Sequence, residues 1–193
     1  GLAAGLAGPL FVRNIVGVKK LSKTLFRHHL ITPMLIGLLI TGLFSLYHPL
    51  ISGPGVRIIN ALLSGEIFDL RILVGIILLK FVAAAFCYGA GMSGGILLPT
   101  MVIGAAFGTL WGMLSAQVLG VSDIQLGAYA LVGVGAFLAA VIKAPFTSIV
   151  LVFEMTRDYR IVLPLMTVQQ YALQKLQSSD VTPADAEVYS KLV

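Results

Sequence analysis

A glycine-rich segment in the middle of the chain has the composition of an anion site. It reads GMSGGILLP from Gly91 to Pro99 and lies within an uncharged stretch, Phe81 to Ser122. Its glycines should break the helix, and Pro99 suits the first turn of the next one. A helix start exposes backbone N–H groups and about half a positive elementary charge, and glycines let an ion approach the main chain. The segment therefore predicts an anion seat at a helix N-terminus.

Two other interpretations of these glycines were weighed. The run from Gly89 to Gly94 matches G-x-G-x-x-G, but a dinucleotide fingerprint follows a strand and has an acid about 20 residues later. Here the motif lies in an uncharged membrane stretch, and no phosphate-loop, zinc-protease or nucleophile-elbow motif occurs. We therefore predict no enzyme. The second interpretation, that the glycines only permit a kink and close helix packing, stays open at this point.

Few other residues could carry chemistry. Lys143 and Glu154 are candidates either for the ion path or for structural charges, because each stands at the end of an apolar run. Lys80 lies within a span and is expected to snorkel towards the interface. Cys87 is the single cysteine, which excludes a disulfide framework within one chain. We predict no metal site and no cofactor.

Composition identifies the setting of these residues. The chain has 193 residues, of which 58% are hydrophobic and 11% charged, against about 25% charged in an ordinary soluble domain. So few charges cannot cover a water-facing surface. Basic residues cluster between Arg13 and Arg27 with no acid among them, which the positive-inside rule places in the cytoplasm. We predict a multi-pass membrane protein that does not bind nucleic acid; which membrane it occupies is open.

The elements follow from charges, glycines and prolines, since a helix needs about 20 apolar residues to cross a bilayer. Leu30 to Leu50 should cross once, and a short re-entrant or interfacial helix should run from Ile58 to Leu70. One helix should end near Gly89 and the next begin near Gly95. The remaining apolar segments are Ile124 to Ile142, a half-length helix from Phe146 to Phe153, and Ile161 to Val168.

Broken, short and glycine-punctuated helices are typical of transporters and channels whose ion site lies at mid-membrane between half-helix ends. Small residues also recur between Gly104 and Gly108 and between Gly133 and Ala136. This spacing permits close helix packing in lipid. The fold class predicted is all-α, with broken and re-entrant membrane helices.

Two segments resemble motifs of the CLC chloride channels and chloride/proton exchangers. The segment from Gly91 to Pro99 is similar to that family's G-x-x-G-G-x-F-x-P motif. The segment from Gly135 to Thr156 reads GAFLAAVIKAPFTSIVLVFEMT and resembles G-A-x-x-A-x-x-x-R/K-A-P-x-T-x-I-x-x-x-x-E-M-T. The order of the motifs implies the second of the family's two inverted repeats over residues 1–168. Residues 169–193 would be a polar segment leading to the last helix.

The resemblance implies chloride transport by a homodimer in the lipid bilayer, as a channel or an antiporter. It assigns the anion contacts to the N–H groups of Ile96 and Leu97, next to Gly95, and to the Tyr189 hydroxyl. Gly91, Ser93, Gly94 and Pro99 would form the loop and helix start around the ion. Leu97 replaces the family's usual Phe, which keeps the amide donor and alters the pore wall.

The family's G-S-G-I-P and G-R/K-E-G-P motifs, which supply a serine ligand and a gating glutamate in the first repeat, do not occur here. The resemblance thus implies that this chain supplies about half of a binding site and should not transport alone. Two alternatives remain open. One is a non-transporting membrane scaffold or accessory subunit, and the other is a broken-helix carrier for a different anion.

Overall fold

The computed structural model describes residues 1–25, 31–47, 55–65, 69–89, 95–120, 124–156 and 162–178. Within these ranges every regular element is a helix, as predicted. In chain order the helices are α1 (Leu2–Leu25), α2 (Ile31–Tyr47), α3 (Val56–Leu63), α4 (Leu70–Gly89), α5 (Leu97–Leu119), α6 (Leu126–Ile142), α7 (Pro145–Thr156) and α8 (Val162–Ser178).

Three of the described helices are long and apolar enough to cross a membrane: α1, α4 and α5, over Leu2–Ser22, Leu70–Gly89 and Leu97–Val118. Helices α6 and α7 are apolar but shorter. This mixture of full-length and short apolar helices confirms the broken pattern expected from the sequence.

The predicted breaks are confirmed where the structure describes both sides. Helix α4 ends at Gly89 and α5 begins at Leu97, while α7 begins at Pro145 directly after α6. The short helix expected from Ile58 to Leu70 is shorter than predicted, because α3 ends at Leu63 and Gly65 takes a φ of 76°. Helix α8 continues beyond Val168, where the composition becomes polar, as far as Ser178.

Among the described helices, α5 and α6 make the most extensive contact. A methyl group added at Gly104 would lie 2.8 Å from the Gly133 carbonyl oxygen, and one at Gly108 would overlap the Tyr129 carbonyl oxygen. In lipid, helices associate through such backbone approach because burying apolar surface gains little there. The packing role predicted for the small residues of both helices is confirmed.

Aromatic side chains join four helices at the centre of the bundle. Phe11 of α1 meets Phe81 of α4 edge-on at 5.0 Å between ring centroids, and lies 6.0 Å from Phe137 of α6. Phe107 of α5 stacks on Phe137 at 6.1 Å. Phe11 and Phe137 are fully buried, so these rings set the spacing of α1, α4, α5 and α6.

Candidate functional site

Within the described residues, the backbone donors at the N-terminus of α5 have no side-chain cap. Ile96 precedes the helix with φ −65° and ψ −19°. Its carbonyl oxygen accepts the Thr100 N–H at 3.2 Å and the Thr100 hydroxyl at 2.7 Å. The N–H groups of Ile96, Leu97 and Leu98 come before this first helical hydrogen bond, and Pro99 has no N–H to offer. Three donors therefore remain at the helix start, where the dipole is positive.

Among the described residues outside its chain neighbours, nothing packs against Gly95, which stands immediately before these donors. A Cβ atom added there would meet no described atom outside its chain neighbours within 4 Å. Its φ is also outside the left-handed region, in contrast to Gly55, Gly65 and Gly120. In the part of the chain that the structure describes, neither packing nor backbone conformation requires glycine at 95. Space left open beside free amide donors suits the approach of an ion.

The residues that carry these donors are partly buried. Ile96, Leu97 and Leu98 are half-buried and pack against the hydrophobic core, and Thr100 is fully buried. Hydrogen bonds and helix dipoles act more strongly on a charge in such low-dielectric surroundings than in water. This helix start can therefore hold an anion without a fixed positive charge.

The structure brings together four of the predicted site residues, namely Gly95, Ile96, Leu97 and Pro99. Gly91, Ser93, Gly94 and Tyr189 lie outside the described residues. Their roles in anion binding stay predictions.

Lys143 and Glu154 lie at opposite ends of α7. Lys143 is exposed between α6 and α7, where its φ is 57° and its N–H donates to the Ala139 carbonyl at 2.9 Å. Glu154 is exposed near the end of α7, a helix that packs against α6 and α8. Whether Lys143 and Glu154 act on the ion path or only in the structure stays open.

Lys80 does not snorkel, so the sequence prediction for this residue is wrong. Only 6% of the residue is exposed, on a helix long enough to span a membrane. Its Nζ lies 3.7 Å from the position that a Cβ of Gly55 would occupy, and Val102 of α5 borders the same point. The start of α3 and the second turn of α5 therefore cover the lysine, an arrangement that hydropathy along α4 cannot indicate.

Gln169 is a buried polar residue that sequence reasoning missed. It is 1% exposed, and its Nε2 donates to the Ser148 hydroxyl at 2.6 Å and to the Gly135 carbonyl at 3.3 Å. The Ser148 hydroxyl in turn donates to the Pro145 carbonyl at 2.8 Å. These bonds tie α8 to α6 and α7. The surrounding change to polar composition concealed this residue, since it resembled the start of an exposed segment.

The chain resembles known proteins over nearly all of its length. A family model described as voltage gated chloride channel matches residues 1–174. Among solved structures, a slow cyanobacterial Cl⁻/H⁺ antiporter matches with a TM-score of 0.81 and 23% identity, covering 99% of this chain and 45% of that one. A eukaryotic CLC transporter matches with a TM-score of 0.73 and 27% identity, covering 98% of this chain and 33% of that one.

The chain therefore spans less than half the length of either of these two structures. The family match nevertheless includes both motifs and all eight described helices except the last residues of α8. The chain is an integral, multi-pass membrane protein and belongs to the family of voltage-gated chloride channels and their CLC relatives.

Proposed function

We propose that this chain contributes to the passage of chloride or a similar anion by binding it at the start of α5. The observation that carries the proposal is the uncapped α5 N-terminus beside the open space at Gly95. The Ile96 and Leu97 N–H groups would bind the ion. The Tyr189 hydroxyl would donate to the same ion.

Neutral donors suit conduction because they stabilise a partly dehydrated anion without trapping it. Backbone amides at a helix start are held by the helix and need little reorganisation when the ion arrives. A fixed lysine or arginine in direct contact would bind more tightly and release more slowly. The amide site therefore favours rapid release of the ion over tight binding.

The whole protein would be a homodimer in which each subunit has its own anion pathway, with donors from a first repeat completing the site. One matched structure is described as a Cl⁻/H⁺ antiporter, so proton coupling is one form that the activity would take. A channel is the other.

The test is chloride efflux from liposomes that contain the full-length gene product, with external pH recorded in the same experiment. Chloride flux with opposed proton movement identifies an exchanger, and chloride flux at constant pH identifies a channel. If folded, inserted protein moves no anion, the proposal fails and a scaffold role replaces it.

Gly95→Ala tests the site itself. The new methyl group meets no described atom outside the neighbouring residues, so the protein should fold normally, but the methyl would occupy the space in front of the donors. We expect about a tenfold or greater loss of chloride affinity by calorimetry, the equivalent of one charge-assisted hydrogen bond. Gly75→Ala is the matched control, because a Cβ there also meets no described atom. Unchanged chloride affinity in Gly95→Ala would show that the ion does not bind at this helix start.

A further inference from the structure

Lys80 is a buried cation in a helix long enough to span a membrane, and the proposed chloride site gives it no role. Only 6% of the residue is exposed, and it lies in the middle of α4, well away from both helix ends. Taking an ammonium group out of water is costly even where it is hydrogen-bonded. A lysine inside a membrane protein is therefore expected to serve a function, and its surroundings indicate which one.

The ammonium group lies at the N-terminus of α3. Its Nζ is 3.7 Å from the position that a Cβ of Gly55 would occupy, and Gly55 directly precedes this helix. A helix N-terminus carries about half a positive elementary charge, which favours an anion and disfavours a cation. The lysine and the start of α3 therefore have the same sign, and both attract negative charge.

The same ammonium group is close to the proposed chloride site. The point beside Gly55 that is 3.7 Å from Nζ is 2.5 Å from Cγ2 of Val102, so Nζ and Cγ2 are no more than about 6 Å apart. Val102 is the sixth residue of α5, whose first residue, Leu97, is a proposed donor. With a rise of about 1.5 Å per residue, an ion at the helix start would lie about 10–15 Å from Nζ. Lys80 would therefore act on the ion through space and not by contact.

The three helices that meet at this point bring positive charge. Helices α3, α4 and α5 contain Arg57, Arg71 and Lys80, and no Asp or Glu. Arg57 and Arg71 are exposed, so that the solvent screens them, whereas the surroundings of Lys80 screen its charge much less. At an effective dielectric constant of about 20, unit charges about 10–15 Å apart change an affinity about five- to fifteenfold. The charge of Lys80 is thus large enough to influence chloride binding.

We propose that the charge of Lys80 raises the affinity of the α5 helix start for chloride without touching the ion. This role rests on the function proposed above and adds a distant cation to the neutral amide donors. At this distance the lysine attracts an anion into the protein interior and leaves its release to the amides. Because a distant charge acts alike on all monovalent anions, chloride, bromide and nitrate should respond equally.

The test is titration calorimetry of the purified full-length protein with each of the three anions. Lys80→Met removes the charge and keeps a long side chain, and we expect all three affinities to fall by the same factor, about fivefold or more. Lys80→Arg keeps the charge and should stay within about twofold of the wild type. Lys80→Gln, which removes the charge and keeps hydrogen-bonding atoms, serves as the neutral variant if Lys80→Met does not fold.

Arg71→Met is the matched control, because it removes an exposed charge from the same helix. Its chloride affinity should change less than about twofold. A similar loss in Arg71→Met and in the neutral Lys80 variant would contradict a specific role for Lys80.

Unchanged chloride affinity in a folded neutral variant would overturn the proposal. An equal loss in Lys80→Arg would do the same, as would losses that differ among the three anions, since both would indicate an altered site shape in place of a lost charge. Gly95→Ala separates this role from the chloride site itself. If Gly95→Ala loses affinity and the neutral Lys80 variant does not, chloride binds at α5 without help from Lys80. If the wild-type protein binds no chloride, the proposed function itself fails.

Discussion

At the scale of single residues, the glycines of this chain lie in different physical surroundings. Gly104, Gly108 and Gly133 lie where another backbone leaves no room for a methyl group. Gly95 lies beside open space, next to free amide donors. Packing accounts for the first three glycines. The structure describes no packing neighbour at Gly95, and the role of that residue in ion binding stays a prediction.

Gly133→Ala should destabilise the protein. The added methyl group would overlap the Gly104 carbonyl oxygen and lie 2.7 Å from both N and Cα of Gly108. Because these are backbone atoms, the helices must separate, at a cost of about 1–3 kcal/mol or more. Thermal unfolding in detergent measures the loss. Gly42→Ala serves as the control, since a Cβ there meets no described atom within 4 Å. Equal melting temperatures for both variants would contradict the packing role.

Ser148→Ala should also destabilise the protein, by about 1–2 kcal/mol. It removes the 2.6 Å acceptor of Gln169 Nε2 and leaves that buried amide with its longer bond to Gly135. The control is Ser115→Ala, whose hydroxyl bonds only within its own helix, to the Trp111 carbonyl. Chemical denaturation of the two variants compares the effects. A loss no larger for Ser148→Ala than for Ser115→Ala would show that the Gln169 bonds do not stabilise α8.

At the scale of elements, the start of α3 determines how this short helix meets its neighbours. Gly55 precedes α3 with a φ of 88° and accepts the Ile59 N–H at 3.0 Å. Val102 of α5 and the Lys80 ammonium lie beside it. Gly55, in the left-handed conformation, thus lies where α3, α4 and α5 meet and helps to bury Lys80.

Gly55→Ala should weaken this junction. A Cβ would lie 2.5 Å from Cγ2 of Val102, and the left-handed conformation itself disfavours alanine by about 1 kcal/mol. We expect a lower melting temperature and faster proteolysis near α3. Gly17→Ala on α1 is the control, because a Cβ there has no described neighbour within 4 Å. Wild-type protection of α3 in Gly55→Ala would contradict the proposed junction.

At the scale of the whole molecule, charge sets the orientation in the membrane. Lys19 and Lys20 lie in the second half of α1, Arg13 lies at its midpoint, and no acidic residue occurs in that helix. The positive-inside rule predicts that this end of α1 faces the cytoplasm. Orientation in turn decides from which side an anion reaches the other elements.

A single introduced cysteine tests the orientation. In a Cys87→Ser background, which has no other cysteine, Lys20→Cys should react with a membrane-impermeant thiol reagent only when the cytoplasmic side is opened. Lys20 is exposed, so the side chain itself is accessible. Labelling of intact cells from outside would reverse the predicted topology.

The sequence alone determined the features that depend on local composition. Hydropathy indicated a membrane protein, and Gly89, Pro99 and Pro145 marked helix breaks that the structure confirms. These residues act locally, through missing side chains, missing N–H groups and restricted φ, so neighbours in the chain suffice to interpret them. The two motifs likewise identified the family that the family model confirms.

Only the tertiary structure showed that residues of the same type have different surroundings. Gly95 and Gly133 look alike in sequence, yet of the two only Gly133 has another described backbone against it. Lys80 is buried because Gly55 and Val102 cover it, and Gln169 is buried because Ser148 and Gly135 supply its partners. Burial and hydrogen bonding depend on atoms contributed by distant parts of the chain, and periodicity along one helix carries no information about them.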